Sequence, residues 1–119
     1  MLTPLGKELR KLRIDRGWLL KDMASGIGVA TSFLSGVETG RKAIPEGFVE
    51  KIAAWAKIGG AELLKLREAA VKSQREFKIT VKSDFTDADR EAAALLARFG
   101  DMPREKRDEW HALLKKSFS

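Results

Sequence analysis

From Leu5 to Val71 the apolar residues recur at helical spacing, and between Phe77 and Val81 they switch to strict alternation with polar ones. The first helix is expected to begin at Thr3, whose hydroxyl suits a free first-turn N–H, with Pro4 inside the first turn. Leu5, Leu9, Leu12 and Ile14 then gather on one face, with Lys7, Arg10, Lys11 and Arg13 on the other, until Gly17 ends the helix. Leu20, Met23, Ala24 and Ile27 predict a short second helix, with Gly26 and Gly28 as exit signals and Val29 turning back into the core. In "ATSFLSGVE", Phe33, Leu34 and Val37 share one side while Thr31, Ser32, Ser35 and Gly36 occupy the rest. That apolar side supports a third helix, although Gly36 costs roughly 1 kcal/mol of propensity relative to Ala. Pro45 is placed in the first turn of a fourth helix carrying Phe48, Val49, Ile52, Ala53, Trp55 and Ala56, which Gly59 and Gly60 break. A fifth helix follows through Leu63, Leu64, Leu66, Ala70 and Val71.

The alternation of Phe77, Ile79 and Val81 with Lys78, Thr80 and Lys82 predicts a single β-strand. A lone strand leaves its ladder groups unpaired, so the economical remedy is pairing with the same strand of a second copy in a two-fold dimer. Thr86 then caps a sixth helix, with Asp87 and Asp89 near its positive end and Gly100 as its stop. A seventh runs from about Pro103 towards Ser117, burying some of Met102, Trp110, Leu113 and Leu114. The fold class expected is mainly α: five helices in a first domain, residues 1–73, then a short β-strand and two helices in a dimerisation region, residues 74–119.

Composition narrows the chemistry. The chain has 119 residues, no Cys and one His, with 23 Lys and Arg against 17 Asp and Glu for a formal charge of +6. A thiolate nucleophile and a thiolate metal site are excluded, and a serine triad has only His111 to use. "SDFTDADRE" lacks the glycine and terminal glutamate of a calcium loop, and the paired glycines do not follow a strand, so no phosphate-cradling loop is indicated. The expectation is no enzyme, no cofactor and no metal. Trp18, Trp55 and Trp110 are simpler as packing anchors than as platforms for stacked bases. No leader pattern and no apolar run near 20 residues is present, which places the protein in the cytoplasm, away from membranes. The excess of basic residues favours an anionic partner without identifying one.

The spacing within "MASGIGVATSFLSGVETG" is more specific. Ala24 lies where two short helices cross, Gly28 takes a turn conformation, Val29 plugs the turn and Val37 anchors the second helix. This is the spacing of a DNA-reading helix-turn-helix. From Leu5 to about Leu66 the chain resembles the Cro/C1-type, or XRE-family, regulators, including repressors of phage, prophage and mobile elements. Leu9, Leu12, Arg13, Gly17, Met23, Ala24 and "GVATSFLSGVETGRK" with Glu38 and Gly40 carry the resemblance.

The resemblance implies a lambda-repressor-like DNA-binding domain acting as a dimeric, autoregulatory repressor on double-stranded DNA with an inverted repeat, and nucleoid-associated when bound. Carried over residue by residue, it assigns DNA contact to Thr31, Ser32, Ser35 and Gly36 on the recognition helix, and to Thr39, Arg41 and Lys42 just beyond it. Glu38 is structural, paired with Arg13. The sequence departs from the family pattern at Leu19 and Leu20, where a polar cap and Gln usually hold a phosphate, and at Ala30, where Ser or Thr usually caps the recognition helix. The alternative is an antitoxin or adaptor that binds a toxin or other antagonist protein and also represses its own operon.

Overall fold

Thr3 starts α1 (Pro4–Arg16) in the computed structural model, which describes residues 1–119: its hydroxyl accepts a hydrogen bond from the Gly6 N–H at 3.0 Å. Gly17 closes the helix in the left-handed conformation. α2 (Leu20–Ile27), α3 (Thr31–Glu38), α4 (Phe48–Ala56) and α5 (Gly60–Ser73) complete the first unit, Met1–Glu76. α1 lies against α5 and also meets α2 and α3, while α2 packs on α3 and α4. Leu5, Leu9, Met23, Leu34, Val37 and Ile52 are fully buried where these helices converge. Each comes from the apolar face of its own helix, and Leu66, Ala69 and Ala70 of α5 join them, so the core is the sum of five amphipathic stripes.

Trp18 and Trp55 meet at the side of this core with ring centroids 4.4 Å apart, and the Arg16 guanidinium sits 5.6 Å from the Trp18 centroid. Gly26 lies inside α2 rather than at its exit. Its missing side chain makes room for the Trp55 indole, which a β-carbon there would overlap.

Other local expectations shift for physical reasons. Ile14 is exposed, since the buried stripe of α1 follows Leu5, Leu9 and Leu12 and turns instead to Arg13. Pro45 precedes α4 and does not sit in it. The chain bends there, the Phe48 N–H bonds to the Pro45 carbonyl, and Gly47 is the cap. On α5 the buried residues are Leu66, Ala69 and Ala70, whereas Leu64 and Val71 face solvent.

The close approach of α1 to the end of α3 depends on Gly6. A β-carbon on Gly6 would overlap the backbone carbonyl of Glu38, which cannot swing aside as a side chain can. Gly6→Ala is therefore expected to lower stability by about 1–3 kcal/mol, despite the better helix propensity of Ala. The shift is read from the chemical-denaturation midpoint. An unchanged or raised midpoint would mean that α1 and α3 separate freely.

The second unit, Phe77–Ser119, corrects the fold class: the structure has seven α-helices and no β-strand anywhere. Residues 77–82 alternate in sequence only: all six are exposed, and within one chain they find no neighbouring strand with which to form a ladder. Alternation decides which side chains share a face; only a hydrogen-bonded partner makes a strand. Phe77, Ile79 and Val81 are all exposed. Beyond them, α6 (Asp87–Leu96) begins at Thr86, whose hydroxyl accepts from the Asp89 N–H while the Asp89 carboxylate accepts from the Thr86 N–H. A 3₁₀ turn (Phe99–Asp101) leads to α7 (Arg104–Ser117). Neither helix buries a residue: Met102 and Leu114 are half-buried, and Trp110 and Leu113 are exposed.

Candidate nucleic-acid interface

The α2–α3 turn is made by Gly28, with φ +76°, from which Val29 returns to donate its N–H to the Ala24 carbonyl at 3.0 Å. A side chain at Gly28 would meet no neighbour, so the constraint there is backbone conformation alone. Ala24 is buried at the crossing and Val29 packs against the core, leaving α3 anchored by Phe33, Leu34 and Val37.

The opposite face of α3 is open over its first turn. Thr31 and Ser32 are exposed and Ser35 is half-exposed, all three with small hydroxyl side chains. Gly36 differs from them: it is buried. Thr39, Arg41 and Lys42 follow as a short limb that folds back on the last turn of the helix. The Thr39 hydroxyl lies 3.0 Å from the Ser35 carbonyl and 3.3 Å from that of Gly36, and accepts a bond from Arg41 Nε at 3.2 Å. The Lys42 N–H donates to the Gly36 carbonyl at 3.0 Å. Both cations are solvent-exposed and neither takes part in an ion pair.

Both departures from the family pattern are visible in the geometry. Ala30 is the N-cap of α3 and offers no side-chain bond; Thr31 is already the first helical residue and does not replace it. At α2, the Asp22 carboxylate accepts from the Leu19 N–H at 2.8 Å, and the Leu19 side chain has no acceptor atom to cap the helix in return. The first turn of α2 thus holds a carboxylate of its own.

Glu38 ties this surface to the rest of the unit. Arg13 Nη1 and Nη2 donate to its two carboxylate oxygens at 2.5 and 3.0 Å, with both residues buried. The Thr3 N–H and hydroxyl both donate to its carbonyl, at 2.9 and 3.1 Å. Thr3 and Gly6 are the supporting residues that sequence reasoning missed. A glycine inside a helix was the available signal for the second; the first looked like a helix cap only.

Charge follows the same division. Residues 1–76 hold 14 Lys and Arg against 9 Asp and Glu, while residues 77–119 hold 9 against 8. Nearly the whole positive excess belongs to the unit that carries α3. No helix is long and apolar enough to cross a membrane.

A family model for a helix-turn-helix domain matches residues 4–66, more than half of the chain. No curated protein and no solved structure matches the chain. The matched domain is a non-catalytic one, and no three His, Asp or Glu side chains gather where they could hold a metal ion.

Proposed function

The chain belongs to the helix-turn-helix domain family through residues 4–66, and from that premise we propose that it is a sequence-specific, double-stranded-DNA-binding transcriptional repressor of the Cro/C1 type. The observation that carries this reading is α3 itself: one face is locked into the core by Phe33, Leu34 and Val37, and the other presents Thr31, Ser32 and Ser35 uncovered, with Arg41 and Lys42 beside them. A helix placed in the major groove reads base edges with its first turns, and flanking cations hold phosphates.

The labour divides accordingly. Serine hydroxyls form short hydrogen bonds to base edges and contribute discrimination, whereas Arg41 contributes grip. Ser32→Ala or Ser35→Ala is expected to reduce the preference for target over random duplex about fivefold, the worth of one hydrogen bond. Arg41→Ala is expected to weaken both duplexes alike and to lower the slope of log affinity against log salt by about one. Titrations of both duplexes at several salt concentrations measure these effects. Equal consequences from all three changes would sink the assignment.

The active form on this reading is a homodimer joined through residues 77–119. That unit has no buried residue, yet Leu95, Leu96, Met102, Trp110 and Leu114 line one groove of about 570 Å³. A helical pair with an open apolar groove is half of a four-helix bundle, and a second identical pair supplies the other half. Its near-neutral charge offers little repulsion to self-association, unlike the basic first unit. A two-fold dimer sets two α3 helices on successive major-groove faces about 34 Å apart, which calls for an inverted-repeat operator. Occupancy of such a site at its own promoter blocks polymerase, the simplest route to autoregulation.

A further inference from the structure

Gly36 is the least expected residue of α3, because it weakens a short helix on the side that carries Thr31, Ser32 and Ser35. What covers it is Lys42. A β-carbon on Gly36 would lie 2.6 Å from Lys42 Cγ, 3.4 Å from its Cβ and 3.9 Å from its Cδ. The lysine stem therefore crosses directly over the glycine, in space that any larger residue at position 36 would claim. The backbone is closed over the same point by the bond from the Lys42 N–H to the Gly36 carbonyl, 3.0 Å. Thr39, bonded to the Ser35 carbonyl and to Arg41, holds the intervening limb against the helix.

We infer that Gly36 is a positioning residue and that Lys42 stands in for the recognition-helix side chain that Gly36 lacks, delivering a cation to DNA from the loop across the face of α3. The inference rests on the DNA-binding reading above. Lysine stems are flexible and lose rotamer freedom when their ammonium is captured. A stem already laid on the helix has lost part of that freedom on folding, so less is lost on binding. The ammonium has three N–H donors and no acceptor, so its target is an acceptor group: a guanine edge or a phosphate oxygen.

The decisive variant is Gly36→Ala. Its methyl takes the place of Lys42 Cγ and drives the stem off the helix, while alanine itself favours the helix, so the fold survives. Target-duplex affinity is expected to fall about tenfold in Gly36→Ala and equally in Lys42→Ala, the scale of one charge-assisted hydrogen bond. The double variant should be no weaker than either single one, because both remove the same contact. Thermal melting in the absence of DNA should show Gly36→Ala folded, with a midpoint near that of the wild type, the gain in helix propensity offsetting the displaced stem.

Loss of preference at a single G·C pair in Lys42→Ala identifies a base edge as the target, and uniform weakening with a shallower salt dependence identifies a phosphate; both sustain the inference. It is overturned if Gly36→Ala binds like the wild type, or if the two losses multiply in the double variant. Wild-type protein that retains no duplex from a random pool would overturn the DNA-binding reading instead.

Discussion

Glu38→Ala is expected to destabilise the first unit by about 3–5 kcal/mol, the scale for removing one partner of a buried ion pair. Arg13 is 8% exposed, and its guanidinium is held by the two carboxylate oxygens of Glu38 with Met23 Sδ alongside at 3.4 Å. Without the carboxylate, the guanidinium is left buried with no anionic partner. Its remaining course is to drag α1 away from α3 towards water. Against a domain stability of roughly 5–15 kcal/mol, that loss leaves little margin.

Chemical denaturation gives the number, and a second variant gives the cause. Replacing both partners with apolar residues, as in Arg13→Met with Glu38→Leu, should recover most of the loss, since no charge is then buried. A shift below about 1 kcal/mol in Glu38→Ala would place the pair in the class of solvated surface bridges. DNA binding should fall with stability, because Glu38 ends α3 and its carbonyl is where Thr3 holds that end.

The second large effect concerns assembly. Leu95→Asp is expected to convert dimer to monomer and to lower affinity for a two-half-site duplex by about 100-fold or more, with little change on a single half-site. Leu95 is exposed on α6, where it lines the apolar groove, so an isolated copy tolerates the charge; only burial against a second copy makes it costly. Unchanged helix content by circular dichroism would establish that the unit still folds. Light scattering reads the oligomeric state and duplex titration the affinity. A wild-type monomer at working concentration, with independent binding of each half-site, would remove the dimer from the mechanism.

The helices were legible because their signals are local. Thr3 with Pro4, Gly17, Gly28 and Thr86 act within three or four residues of themselves, through caps and allowed backbone angles that hold in almost any surroundings. The apolar stripes add a direction to each helix, which is enough to group Leu5, Leu9, Met23, Leu34 and Ile52 in one core. The strand expected at residues 77–82 failed for the complementary reason: its pattern was local but its hydrogen bonds were not. The same distinction separates Ile14 from Arg13. Expected on opposite faces of α1, they differ in burial the other way round, because Glu38, 25 positions from Arg13 and its expected partner, is itself buried and holds the arginine inside.

The candidate interface divides along that line. Its exposed hydroxyls and two cations are visible in "ATSFLSGVETGRK", as is the helix that carries them. What Gly36 does is not, since a glycine in a sequence shows a missing side chain and not what fills the space. By itself the sequence determined the helical segments, their apolar faces and the turn between α2 and α3, all products of short-range sterics and helical periodicity. The Arg13–Glu38 pair was already indicated, but tertiary structure alone decided that it is buried, that Gly6 admits the end of α3, that Lys42 lies over Gly36, and that residues 77–82 stay unpaired. Each depends on what a distant part of the chain brings within a few ångströms, and burial, pairing and steric exclusion act only at that range.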